Sequence, residues 1–398
     1  MEYLELSNKK IITRYAIPQM IGLIFNSIYF IIDGIFIGKK LGPDSLAAAG
    51  IAIPVVEIMI ALAMMISVGA GVMVSAAIGY KDYKKANTLF NQANLITAIL
   101  SIAIVILGNI FINQLAQILG ATNLIFEDTK LYLRYFITAS PFLLFSFTLS
   151  TFARNDNAPK LAMWALIIGS ISNIILDWFF MYPLNMGLSG AALATALGPI
   201  FSVLILLPHF IFKKGLLSFK LTKVYFKDMF AIFSKGLSAF ITNFSIGFVT
   251  LLYNMTINHH HLGEITLSSY VIIGYISLIA LTSFLGISQG IQPAISFYSG
   301  CNEHNRLKSL SRSGIIFNLT LGFIYTVFIF LFAPFIINIF TNESSLVFLT
   351  SSLSTKYFLN LPFAAVNIAI TTLLQALDYQ KESTIISLMR STLPLILF

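Results

Sequence analysis

Three acidic side chains lie deep inside long apolar stretches of the sequence: Asp33, Glu57 and Asp177. Each stretch is long enough to cross a lipid bilayer, where a charged group is costly. Acids kept at that depth mark pathways for ions or protons, and a structural hydrogen-bond network is the alternative. The sequence therefore predicts ion or proton chemistry at these positions.

Polar residues accompany two of these acids at helical spacing. Asn173 precedes Asp177 by one helical turn, so both side chains face the same way. Tyr29 and Asn26 lie one and two turns before Asp33 and form a polar stripe on an otherwise Ile- and Phe-rich helix. Each acid thus belongs to a polar helix face.

Two further residues extend this pattern along the first two apolar stretches. Pro18 precedes the stripe, and a proline inside a helix removes a backbone bond and can act as a hinge. Glu57 lies roughly 16 Å below the far surface of the second stretch, at 1.5 Å per helical residue. It could contact a cationic substrate in a central cavity, or pair with a neighbouring helix.

The composition excludes a soluble protein. Of the 398 residues, 57% are hydrophobic and 10% are charged, whereas a globular domain carries about 25% charged residues. A single cysteine permits no internal disulfide, and the chain is far too apolar for a disordered protein. The N-terminal residues are too polar for a cleaved signal, so the first apolar helix is expected to remain as an anchor.

Charge clusters and Gly, Pro and Asn breaks divide the chain into ten full spans and a partial one. Because lipid offers no partners to backbone groups, unbroken apolar runs of this length predict membrane-spanning helices. The expected spans are 14–38, 46–78, 88–112, 129–153, 160–182, 188–212, 229–257, 266–299, 310–340, 352–376 and 383–398.

The basic residues predict the orientation. Most of the 24 Lys and Arg residues, Arg154 and Lys160 among them, fall in segments on the side of the N-terminus. The positive-inside rule then places the N-terminus in the cytoplasm, in a multi-pass protein of the plasma (inner) membrane. The net charge of +8 is interpreted as loop charge beside anionic lipid, which makes the bilayer the partner and excludes nucleic acid.

The two halves of the chain repeat one another. At one constant offset Gly69 matches Gly290, Gly79 matches Gly300 and Ser67 matches Ser288. Six spans per half predict a parallel repeat, with a pseudo-two-fold axis along the membrane normal. We expect an N-lobe over residues 1–215 (helices 1–6), a cytoplasmic linker over 216–228 and a C-lobe over 229–398 (helices 7–11). By this register the eleventh helix is cut short and a twelfth is missing, and truncation is the favoured explanation.

Several motifs in combination resemble one family of transporters. They are PQMIG at 18–22, YFIIDGIFIG at 29–38, GAG at 69–71, IGYKDY at 78–83, ARNDNAP at 153–159, NIILD at 173–177 and GLSGAALAT at 187–195. These motifs resemble the multidrug and toxic compound extrusion (MATE) transporters, and the resemblance covers essentially the whole chain. It implies an all-α membrane fold of twelve helices in two six-helix lobes, which export organic cations and drugs in exchange for Na⁺ or H⁺.

The resemblance also implies a site. The family's N-lobe cation or proton site corresponds to Asp33, Asn173, Asp177 and Thr195. Two carboxylates, an amide and a hydroxyl would supply four oxygen ligands to Na⁺. Facing carboxylates in a low dielectric cannot both stay ionised without a cation, so the same group could instead carry a proton.

Further roles follow from the same resemblance. Tyr29 matches a position that lines the cavity, which Asn26 and Glu57 are expected to share. Pro18 matches the proline at which the first helix bends. The C-lobe acids of another branch of the family are absent, because helices 7, 8 and 10 have no Asp or Glu in their interiors. This absence favours an N-lobe site alone.

Other function classes are less well supported. Residues 286–290 fit the G-x-S-x-G pattern of serine hydrolases, but the five histidines lie at span ends or in loops, so we expect helix packing there and no enzyme. The main alternative is a lipid-linked oligosaccharide flippase of the same superfamily, which would need several basic groups in its groove. The hypothesis is a monomeric exporter of organic cations without a cofactor other than the coupling ion.

Overall fold

The computed structural model of the chain describes residues 2–259, 264–341 and 343–397, and this part of the chain is built of helices without a strand. The predicted all-α fold class is confirmed. The long helices are α1 Ile17–Leu41, α2 Pro43–Gly79, α3 Tyr83–Ile110, α4 Phe126–Asn155, α5 Pro159–Met181, α6 Leu188–Ile211, α7 Phe226–His259, α8 Glu264–Gly300, α9 His304–Ile337, α10a Ser344–Tyr357, α10b Leu361–Ala376 and α11 Gln380–Leu397.

Nine helical segments within the described ranges are long and apolar enough to cross a membrane. They coincide with predicted spans 1–6 and 8–10, and the tenth is interrupted by the short turn Phe358–Asn360 between α10a and α10b. Helices α7 and α11 correspond to predicted spans 7 and 11. The chain is a multi-pass membrane protein.

The start of α1 is irregular. A π-helical turn at Ile12–Ala16 precedes Pro18, which lies in the first turn of α1. The N–H of Ile17 donates to the carbonyl of Ile12, five residues back, instead of four as in an α-helix. This wider turn lies directly before Pro18, which has no N–H to donate. The irregularity thus lies just before Pro18, and the hinge role of this proline stays a prediction.

The sequence repeat is visible in the helix boundaries. Helices α2 and α8 begin and end at residues related by the same offset that matches Gly69 to Gly290. Helices α4 and α10b end at equivalent residues, and α5 and α11 begin at equivalent residues. The two halves therefore share one plan, while the incomplete eleventh helix and the missing twelfth stay predictions.

Each half packs as a lobe, and the lobes meet through equivalent helices. In the N-lobe α1 packs on α5, α2 on α4, and both α4 and α5 on α6. In the C-lobe α8 packs on α9 and α10b, and α7 packs on α11. Between the lobes α2 packs on α7 and α1 packs on α8. Because α1 corresponds to α7 and α2 to α8, these two interfaces are repeats of each other.

The segment between α6 and α7 marks one end of the bundle, called here the linker end. It is held against α3, since the side-chain amide of Asn87 bonds to the carbonyl of Leu216 and the N–H of Ser218, at 2.8 and 3.0 Å. Asp156 accepts from the N–H of Leu216 at 2.7 Å and bonds to His209 at 2.8 Å. The linker is therefore fixed to the N-lobe.

Helix α7 begins slightly earlier than the expected start of the C-lobe at residue 229. Its first turn contains Asp228, which forms an ion pair with Lys85 of α3 at 2.6 Å. This contact docks the first turn of α7 onto the N-lobe. The last residues of the expected linker are accordingly helical.

Glycines allow the lobes to approach closely near the linker end. A Cβ on Gly290 of α8 would overlap the backbone of Ala16, and one on Gly286 would overlap Met20 of α1. In the equivalent interface, a Cβ on Gly69 of α2 would overlap Ile232 of α7. The G-x-S-x-G motif thus lies at a close helix contact, which agrees with the packing role expected for it.

This packing gives a direct prediction for Gly290→Ala. The added methyl group meets backbone atoms of Tyr15 and Ala16, in the π-helical turn before α1, and backbone atoms cannot turn aside. We therefore expect a loss of about 1–3 kcal/mol in the free energy of unfolding. Gly274→Ala is the matched control on the same helix, since a Cβ there meets open space. Thermal unfolding of the detergent-purified variants should show a lower Tm for Gly290→Ala only, and equal Tm values would contradict the close contact.

Candidate functional site

Asp33 is buried in the N-lobe with one partner. Its side chain on α1 is 6% exposed, and its Oδ2 accepts a hydrogen bond from the hydroxyl of Tyr132 on α4 at 3.3 Å. Its Oδ1 is buried without a donor. The carboxyl group is therefore only half satisfied by the protein.

Asp177 faces Asp33 from α5. Its side chain is fully buried, at 0% exposure, and its carboxyl group is close enough to that of Asp33 to interact with it directly. Neither oxygen of Asp177 has a hydrogen-bond donor. The predicted meeting of the two acids in one lobe is therefore observed.

Asn173 and Thr195 complete the group from α5 and α6. The amide nitrogen of Asn173 donates to Thr195 Oγ1 at 3.2 Å, and that hydroxyl donates to the carbonyl of Ala191 at 3.1 Å. These bonds orient the amide so that Asn173 Oδ1 remains without a donor. All four predicted site residues are thus buried in the N-lobe, on three neighbouring helices.

The site is rich in acceptor oxygens and poor in donors. Besides the oxygens of Asp33, Asp177 and Asn173, the hydroxyl of Ser170 on α5 is buried without a partner. Buried polar atoms are normally hydrogen-bonded, so a group of unpaired oxygens is unusual, and oxygen atoms of this kind are the ligands that hard cations prefer. No cluster of three or more His, Cys, Asp or Glu occurs in the part of the chain that the structure describes.

A small cavity lies beside these residues. Its walls come from α1, α2, α4, α5 and α6, so it lies within the N-lobe. Its polar lining includes two of the site residues and both predicted cavity residues of α1: Asn173, Thr195, Asn26 and Tyr29.

Glu57 lies outside the lining of this cavity but near it. Ile60, one turn further along α2, lines the cavity. Glu57 is half-buried and forms no ion pair with any residue that the structure describes. The alternative of a glutamate neutralised by a neighbouring helix is therefore not observed.

Two members of the site were missed by sequence reasoning. Tyr132 lies in the first turns of α4, where Lys130 and Arg134 are also present, and nothing in the local sequence indicates that its hydroxyl meets Asp33 on another helix. Ser170 could have been found, because it precedes Asn173 by three residues and Asp177 by seven. That spacing places it on the same face of α5.

The sequence and structure were compared with those of known proteins. The sequence model of the MatE family matches residues 18–179 and 238–397, which is most of the chain. The multidrug export protein MepA of Staphylococcus aureus (strain bovine RF122 / ET3-1) is 26% identical over 386 residues, covering 96% of this chain and 84% of that protein. MepA of Staphylococcus saprophyticus is 24% identical over 378 residues, covering 94% and 83%.

Solved structures agree with this match. A crystal structure of MATE in complex with MaL6 aligns with a TM-score of 0.92 and 25% identity, covering 98% of this chain and 88% of that one. An outward-facing multidrug resistance MATE family transporter of the MOP superfamily aligns at 0.93 and 24% identity, with the same coverage. The chain belongs to the MATE family.

The unpaired oxygens predict an unusual stability change for Asp177→Asn. Removing one of two facing, donor-poor carboxylates lowers the cost of burial, so we expect a gain of about 1–3 kcal/mol in the cation-free protein at neutral pH. The measurement is thermal unfolding in detergent without Na⁺. Asn173→Asp is the opposite change at the same site and should lower the Tm. A marked loss of stability in Asp177→Asn would mean that the aspartate is a structural hydrogen-bond partner.

Proposed function

We propose that this MATE-family chain is a secondary active exporter of organic cations and drugs, driven by antiport of Na⁺ or H⁺. The observation that carries the proposal is the pair of facing carboxylates, Asp33 and Asp177, with buried oxygens that lack donors. The similarity to MepA, named as a multidrug export protein, supports export as the direction of transport.

The proposed coupling follows from the electrostatics of the pair. Two negative groups in a low dielectric repel each other strongly, so the site is stable only when it holds a cation or a proton. Asn173 Oδ1 and the hydroxyl of Thr195 provide the neutral oxygens that a hard cation prefers. Entry of one positive charge would thus relieve the repulsion, and its departure would restore it.

The substrate part of the proposal rests on the cavity beside the pair. Tyr29 and Phe30 stack with ring centroids 4.3 Å apart, and both line the cavity together with Leu143 and Phe147. Aromatic faces attract organic cations, and apolar walls accept their hydrocarbon parts. Glu57, one turn from the cavity residue Ile60, would add a negative charge that attracts an amphipathic cation.

Alternating access would move one lobe against the other. The lobes meet through two equivalent interfaces, α1 on α8 and α2 on α7, and through a contact of α2 with α8. These contacts would have to separate and re-form as the lobes move. Because the acids lie only in the N-lobe, we propose that ion binding acts on α1 and α5 and is transmitted from α1 to the C-lobe through α8. Bending near Pro18 would be one means of this transmission.

The flippase alternative finds less support. A pyrophosphate-binding groove needs several cationic side chains, whereas the cavity is lined by neutral and aromatic residues. An enzyme is likewise disfavoured, since the matching family model and relatives are those of transporters. We further propose a monomer in the plasma membrane with its linker end in the cytoplasm, as the positive-inside rule indicates.

Asp33→Asn tests the coupling. The change removes one charge and keeps the shape, so gradient-driven efflux should collapse while the protein still folds. Asp177→Asn should have the same effect, and the double variant should be little worse than either single one, because the two groups act as a unit. The measurement is drug efflux from proteoliposomes under an imposed Na⁺ or pH gradient, together with ²²Na⁺ binding.

The outcomes separate the possibilities. Wild-type efflux that depends on Na⁺, with ²²Na⁺ binding lost in both single variants, identifies sodium coupling. Efflux that follows the pH gradient alone identifies proton coupling. Wild-type rates in Asp33→Asn would show that the acid pair is a structural network and would sink the coupling proposal.

Glu57→Gln tests the substrate role and is the contrast to the acid pair. Removing a charge outside the pair should leave the response to the ion gradient intact but change which substrates are exported, with cationic drugs losing about tenfold in apparent affinity. Transport of monovalent and divalent organic cations should be compared in the same vesicles. If Glu57→Gln abolishes gradient dependence, the glutamate belongs to the coupling site instead.

A further inference from the structure

Arg154 is a buried cation for which no acidic partner is found among the described residues. Sequence analysis counted it among the loop charges, but the structure places it in the last turn of α4, where only 5% of it is exposed. Its guanidinium donates to the side-chain oxygens of Gln19 at 2.8 Å, Ser150 at 3.1 Å and Thr151 at 2.9 Å. All three partners are neutral, and its Nε has no partner.

The nearest acid along the chain does not neutralise it. Asp156 is engaged by His209 and by the linker N–H of Leu216. Within the part of the chain that the structure describes, Arg154 takes part in no ion pair. The side chain therefore keeps a full positive charge in a low-dielectric position, an arrangement that is costly and marks function by default.

This charge lies at the contact between the lobes. Because a guanidinium can only donate, Gln19 of α1 turns its oxygen to Arg154, and its amide nitrogen then donates to Gln289 of α8 at 3.4 Å. Gln19 is adjacent in sequence to Met20, which contacts Gly286 of α8, and Gln289 is adjacent to Gly290, which contacts Ala16 just before α1. Arg154 is thus anchored in the layer where the lobes close the linker end.

The equivalent position in the C-lobe lacks the charge. At the repeat offset Arg154 corresponds to Gln375, which also lies next to the last residue of its helix. Gln375 accepts from Gln292 at 3.5 Å and donates to Ser238 at 2.9 Å. A neutral amide therefore makes the hydrogen bonds at this position of the C-lobe. The positive charge of Arg154 is therefore not a requirement of the helix packing that the two lobes share.

We infer that Arg154 is a selectivity residue: its guanidinium is an electrostatic barrier that keeps cations from leaking through the closed linker end of the translocation path. The inference rests on the proposed function, since a transporter of cations driven by a cation gradient loses its driving force through any such leak. A fixed positive charge in a constriction repels Na⁺, protons and cationic substrates alike, as an arginine does in water channels. The close packing of α1 on α8 and the positive charge of Arg154 would then block the path at the same depth.

The test measures passive leak, without substrate, from proteoliposomes that hold the full chain. Release of ²²Na⁺, ³⁶Cl⁻ and labelled sucrose is followed, together with collapse of a pH gradient. Arg154→Gln should raise the Na⁺ and proton leak about tenfold, without raising the chloride or sucrose leak. Arg154→Lys keeps the charge but loses the fork of hydrogen bonds, and it should stay within about twofold of wild type.

Two further variants make the test independent of folding defects. Gln19→Glu places a carboxylate beside the guanidinium and neutralises it without removing it, so it should leak like Arg154→Gln. Lys160→Gln removes an equal charge from an exposed position near the same end and should leave the leak unchanged.

Three results would overturn the inference. They are an unchanged cation leak in Gln19→Glu, a sucrose leak that rises in parallel with the Na⁺ leak, or an Arg154→Lys protein that leaks like Arg154→Gln. Gradient-driven drug efflux is measured on the same vesicles. A wild-type protein that exports no organic cation but gains the cation leak in Arg154→Gln would refute the proposed function and leave the barrier standing.

Discussion

The repulsion between two buried carboxylates is the constraint on which the rest of this structure depends. Asp33 and Asp177 face each other with three unpaired oxygens, and the hydrogen bond that the structure gives to this pair comes from the hydroxyl of Tyr132. Two such groups repel each other strongly in a low dielectric. Helices α1, α4 and α5 supply these side chains, and a small cavity lies beside the neighbouring residues Asn173 and Thr195.

The scaffold is symmetric while its chemistry is not. Helices α2 and α8 have equivalent bounds, and glycines at equivalent positions let each lobe approach the other. The charges break this symmetry, because the residue equivalent to Asp33 is Asn254 and the residue equivalent to Arg154 is Gln375. A duplicated bundle can thus keep one packing plan in both lobes while the charged side chains differ between them.

Sequence reasoning worked where the physical rule is local. Spans, the repeat and the shared face of Asn173 and Asp177 follow from hydropathy and from helical spacing, and the structure reproduces them. It failed for Tyr132 and Arg154, whose roles depend on contacts between helices far apart in sequence. Arg154 lies next to a charged loop, so its neighbours in the sequence resemble those of a loop residue. Only the packing of α1 and α8 around it shows that it is buried. Thr195 came from family resemblance alone, since a threonine in an apolar helix has no distinctive spacing.

Arg154 and Asp33 lie towards opposite ends of α1, because Arg154 is bound by Gln19 near the start of this helix. Gln19, which holds Arg154, and Asp33 are fourteen residues apart on one helix, or roughly 21 Å at 1.5 Å per residue. That distance is a large part of a hydrocarbon core of about 30 Å, so the attracting acids and the repelling guanidinium act at different depths. Under the proposed function, a cation that enters from the far end would meet the acids before it meets the guanidinium. Its exit at the linker end would require the lobes to part and Gln19 to separate from Gln289, so the movement that opens this contact would also move Arg154 away from its position between the lobes.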